Sequence, residues 1–161
     1  MFTVILFGIA LTGGFVTMVA RKQKGSARFQ TLAGWLLVCH MGVGGVWAFV
    51  GHTAFHAQVA ESIGWSPSPF QWEVAVANLA VGTLGLLSAV YRGQFRLAAA
   101  IACNVFLLGC AAGHFHQAFV HGNFAAGNFG AILWIHDILS PLLILTLVLL
   151  GEMRNRSLTT T

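Results

Sequence analysis

Charge is scarce in this sequence. Eight Lys and Arg with four Asp and Glu make up 7% of 161 residues, where a soluble domain carries about a quarter. That excludes water as the main solvent. Proline is also scarce, with Pro67 and Pro69 together between apolar runs and only Pro141 inside one. The three cysteines, Cys39, Cys103 and Cys110, all sit in apolar runs, and an odd number of buried thiols excludes an extracellular disulfide framework. The amino terminus has no positively charged start and no A-x-A cleavage site. Its first apolar run is therefore read as a retained, reversed anchor and not as a signal peptide.

What the chain has is apolar length: 57% of its residues are hydrophobic. A helix needs about 20 apolar residues to cross a bilayer. Five runs qualify, near residues 3–20, 29–51, 71–91, 97–119 and 129–150. Backbone polar groups cannot stay unpaired in hydrocarbon, and these runs are too long for barrel strands, so each is expected to be a helix. The predicted fold is all-α, a bundle of about five transmembrane helices in a single domain over 1–156, with a frayed polar tail at 157–161.

Arg21, Lys22, Lys24 and Arg28 follow the first run, Arg92 and Arg96 the third, and Arg154 and Arg156 the fifth. All eight cations thus fall on one side. Cytoplasmic loops retain Lys and Arg, so that side is predicted to be inside, with the amino terminus out and the carboxyl terminus in. The placement also removes the need for a nucleic-acid partner to explain the pI of 9.5. The expected partner is the lipid bilayer, with a homo-oligomer or a larger membrane complex left open. The second run continues as HTAFHAQVAESIG and is expected to protrude outside before Gly64 and SPSP stop it. Trp47, Trp65, Trp72 and Trp134 fall near the same outer boundary, where amphipathic rings anchor. Pro141 lacks the N–H that would reach the Asp137 carbonyl, which predicts a kink there.

The histidines concentrate at the outer side. His52 and His56 end the second span, His114 and His116 the fourth, His121 follows, and His136 enters from the fifth; His40 stands apart. Glu73 opens the third span and Asp137 follows His136. On a continuous helix His52 and His56, four apart, would lie about 40° from each other, while His114 and His116 would diverge by about 160°. Only one of that pair is then expected to face the bundle, and His114 is preferred because it lies nearer the packed span, with His116 and His121 as its alternates.

Imidazole with carboxylate suits iron, copper or zinc. The sequence thus predicts a transition-metal site at the outer ends of spans two to five, with His52, His56, Glu73, His114, His136 and Asp137 as ligand candidates. A metal-dependent enzyme falls within that expectation, although no HExxH or four-Glu di-iron pattern is present. Against it stand two alternatives. In the first, the same groups are interhelical hydrogen-bond glue in a structural or accessory subunit of a larger membrane complex. In the second, His40 or His136 ligates a b-type haem.

The stretch IGWSPSPFQWEVAVANLAVG, with GHTAFH upstream and AAGHFHQ and GNFAAGN downstream, resembles a family of small bacterial membrane proteins known only as a domain of unknown function. The resemblance runs from about His40 to Leu150. It implies a bacterial inner membrane and brings no reaction, cofactor or partner with it.

Overall fold

The computed structural model describes residues 1–159, with side chains through Glu152. The described residues form six helices and no strand. These are α1 (Phe2–Ala20), α2 (Ser26–Ala54), the short α3 (His56–Ile63), α4 (Phe70–Leu87), α5 (Gln94–His121) and α6 (132–159). All except α3 are long and apolar enough to cross a membrane. The tail expected at 157–161 lies outside the described residues for its side chains and its last two positions.

Helix ends follow local chemistry. The helix α3 stops where Gly64 takes φ 70°, a left-handed conformation that costs glycine nothing, and Trp65 N–H then reaches back to Ala60 O at 2.9 Å. Gly122 closes α5 in the same way with φ 68°. The protrusion of the second span is broken and not continuous, because at Phe55 the backbone leaves helical geometry (φ −122°, ψ 31°) and His56 begins α3. The four-residue relation between His52 and His56 is therefore interrupted.

Two spans depart from α geometry. Leu36–Val43 in α2 and Ile132–Leu139 in α6 are π-helical, with N–H groups bonding five residues back. In α6 the cause is local. Ser140 N–H bonds Ile135 O, and Pro141, next in line, has no N–H for the His136 carbonyl. The Ser140 hydroxyl donates to that carbonyl instead, at 2.7 Å. The expected disturbance at Pro141 thus takes the form of a π segment on its amino-terminal side.

The core lies where α1, α2, α5 and α6 meet, around Leu36, Leu37, Met41, Cys103, Ile144 and Val148. Outward-facing apolar side chains such as Val105, 73% exposed, form the face a bilayer would cover. Of the two span asparagines, Asn104 Nδ2 donates across to Pro141 O at 2.8 Å while its Oδ1 is buried without a partner, and Asn78 Nδ2 donates within its own helix to Val74 O at 2.9 Å.

Glycines set the closest helix crossing, between α2 and α4. A Cβ on Gly45 would stand 2.6 Å from Asn78 O and 2.7 Å from Gly82 Cα, and one on Gly85 would stand 2.6 Å from Gly42 N. Both neighbours are backbone and cannot step aside, so Gly45→Ala should separate the helices and cost about 1–3 kcal/mol. By contrast Gly109 and Gly113, which match GxxxG, have nothing within 4 Å of the point a Cβ would occupy. A detergent melt should show a clear loss of stability for Gly45→Ala and none for Gly109→Ala. Equal melts would remove the seam as a packing determinant.

Candidate functional site

The two π segments carry the two most enclosed histidines, His40 in α2 and His136 in α6. His40 Nδ1 lies 3.0 Å from Thr3 O in α1, and His40 Nε2 lies 3.2 Å from His136 Nδ1. A carbonyl only accepts, so Nδ1 of His40 carries its proton. With both rings neutral, His40 Nε2 is then the lone pair, and His136 Nδ1–H donates to it. One directed chain therefore runs from His136 through His40 to the α1 backbone. The rings meet edge to face with centroids 5.0 Å apart, and Phe7 closes over His40 at 5.2 Å.

Next to His136, Asp137 faces α5. His114 Nε2 stands 3.6 Å from Asp137 Oδ2, and both side chains are largely enclosed. That separation is an ion-pair distance but is longer than a hydrogen bond, and Asp137 Oδ2 has no hydrogen-bond partner. The other nitrogen of His114 is held by Asn128. Asn128 is fully buried, and its amide donates to His114 O at 3.1 Å and Asn123 O at 2.9 Å. With both donors used, its Oδ1 accepts from His114 Nδ1 at 2.8 Å and from Trp65 Nε1 at 3.1 Å. All four hydrogen-bonding positions of Asn128 are thus engaged, which fixes the His114 ring and points Nε2 at Asp137.

Of the six expected ligands, the structure places three here: His114, His136 and Asp137. His52 and His56 are elsewhere, on a groove of about 380 Å³ shared with Gln71 and Trp72. There Gln71 Nε2 donates to His56 O at 3.0 Å, while His52 Nδ1 and Gln71 Oε1 are buried without partners. Glu73 is exposed on α4, and so are His116 and His121, whose rings pack on each other at 5.2 Å. Among the described residues no three His, Cys, Asp or Glu side chains are arranged to hold one metal ion.

His40, Asn128, Thr3 and Trp65 belong to the site but were not expected there. The sequence carried a signal for His40, the one histidine away from the outer ends of the spans, but no means of pairing it. Its partner depends on how α2 and α6 pack, and on π turns that shift the side chains from regular register.

A bundle of five apolar helices with imidazoles and a carboxylate enclosed among them is a multi-pass membrane protein. The chain belongs to the family described as Family of unknown function (DUF6790), whose model matches residues 1–157. This is wider than the stretch from His40 to Leu150 on which the resemblance rested. No curated protein and no solved structure matches the chain.

Proposed function

We propose that the buried imidazole–carboxylate group is a proton relay within the membrane, made of His114, Asp137, His136 and His40. The observation that carries this reading is the direct His136 Nδ1–H to His40 Nε2 bond, two groups that can each take and pass a proton, enclosed between spans. Ionisable residues are costly inside a membrane, and chains of Asp, Glu and His are the usual material of proton paths there. Access from one end is through His114, whose side chain is 13% exposed. From the other end, a polar cavity reaches Cys39, the residue before His40. Protein reconstituted into liposomes with an internal pH dye and a potassium diffusion potential should pass protons faster than empty liposomes. Equal rates would sink the relay.

A second reading is a transition-metal ion between His114 and Asp137, favoured by the unpartnered Asp137 Oδ2 and by a His114 ring already oriented through its other nitrogen. Two protein ligands are fewer than the three usual at a catalytic zinc, so water or substrate would complete such a site. Near-stoichiometric iron, copper or zinc in protein purified without a polyhistidine tag, lost on Asp137→Ala, would favour it. A haem between His40 and His136 is less well supported, since nitrogens 3.2 Å apart leave no room for a ring system.

The cation distribution supports a bacterial inner-membrane orientation with the amino terminus outside. A periplasm-dependent reporter inserted at Ser66 should be active and one at Lys24 inactive. The reverse pattern would invert the topology.

A further inference from the structure

Towards the end of the bundle opposite the outer histidines lies a cavity of about 720 Å³, bounded by α1, α2, α5 and α6. That size falls in the range of small-molecule sites. Three guanidinium groups line it, Arg21, Arg92 and Arg96, against one carboxylate, Glu152. Glu152 is engaged by Gln30, whose Nε2 lies 3.2 Å from its Oε1. Among the described residues no Lys or Arg pairs with a carboxylate, since the one ion pair is His114 with Asp137.

Arg96 is the informative member. It is only 7% exposed, and its hydrogen bonds go to backbone carbonyls: Nε and Nη2 to Ser88 O at 3.0 and 2.8 Å, and Nη1 to Gln30 O at 2.9 Å. These bonds tie α2, the end of α4 and α5 together. They use three of the five N–H groups of a guanidinium and leave its charge without a counter-ion. Buried charge without an anion is costly. Gln23 Oε1, on the same wall, is an acceptor with no partner.

We propose that this cavity binds a phosphate monoester or diester bearing a free hydroxyl, with the phosphate on Arg92, Arg96 and Arg21 and the hydroxyl donating to Gln23 Oε1. Arginine suits this role because its planar fork matches phosphate oxygens. The chemistry is shared by a soluble glycerol phosphate and by the headgroup of phosphatidylglycerol. The positive-inside pattern alone explains cations at a membrane surface, but it does not place one of them inside the bundle without an anion.

The test uses the full-length protein in phosphatidylcholine nanodiscs. Glycerol 3-phosphate is titrated by calorimetry, and retention of phosphatidylglycerol over phosphatidylcholine is read by native mass spectrometry. Saturable binding of glycerol 3-phosphate would identify a soluble ligand, and selective retention of phosphatidylglycerol alone would identify a lipid; either supports the site. Arg92→Gln, at an exposed rim position, should weaken the observed binding at least tenfold with an unchanged melt. Arg28→Gln, a cation that does not line the cavity, should leave it within twofold. Arg96→Lys checks the buried position if Arg96→Gln does not fold. Binding of neither probe, or equal weakening by Arg28→Gln, would overturn the site in favour of diffuse surface charge.

Discussion

Replacing Asn128 with Ala should be among the most damaging single changes in the protein. Asn128 is fully buried and makes four hydrogen bonds, two as donor and two as acceptor. Alanine leaves the Trp65 indole N–H, the His114 ring N–H and the carbonyls of His114 and Asn123 without this partner at once. A buried polar group without a partner costs about 1–3 kcal/mol. Some of these four can reach water at the membrane boundary, so the expected loss is on the order of 3 kcal/mol and not the full sum. Asn128→Asp tests the donor half alone, since it keeps the acceptors for Trp65 and His114 but removes both N–H groups. The expected order of melting temperatures in detergent is wild type, then Asp, then Ala. An Ala variant melting with the wild type would mean that the outer loops are held by something other than this amide.

His136→Phe should reduce proton flux in liposomes at least tenfold, towards the rate of empty liposomes, because it removes the donor to His40 and interrupts the only direct imidazole–imidazole hydrogen bond among the described residues. Its effect on stability separates a relay from a mere packing pair. His136→Phe leaves the His40 Nε2 acceptor unsatisfied, and His40→Phe leaves the His136 N–H unsatisfied. The double variant leaves neither, so it should be less destabilised than the sum of the singles, by roughly 1–2 kcal/mol of coupling. Flux should stay abolished in the double variant although stability recovers. If flux returned with stability, the histidines would be structural and the relay reading would fail.

How far the sequence carried these conclusions depends on the kind of information each feature needs. Apolar run length alone is enough for five spanning helices, because hydrocarbon admits few backbone solutions. Helical geometry says only that His114 and His116 diverge, and the preference for His114 rested on its lying nearer the packed span. His52 and His56 looked like the best local ligand pair, yet the break at Phe55 divides them between two helices. No proline or glycine at Phe55 marks that break. The pairing of His40 with His136 needs the packing of spans far apart in sequence, and single-chain periodicity does not contain it. Pro141 pointed to a disturbance, but its form also depends on the Ser140 hydroxyl serving the freed carbonyl. In α2 the segment Leu36–Val43 has no proline, and the sequence offers no local cause for its π turn.

The paired π segments also bear on how this bundle could have arisen and how it could move. A π turn holds one more residue than an α turn over the same stretch, so each histidine sits on a helix carrying a surplus residue. Removing one residue from Leu36–Val43 would restore ordinary winding without shortening the span or turning what lies beyond it, whereas the same deletion in a regular α segment would rotate everything beyond by about 100°. Both histidines lie at such seams, so the centre sits where each helix can rewind locally while its two ends remain anchored.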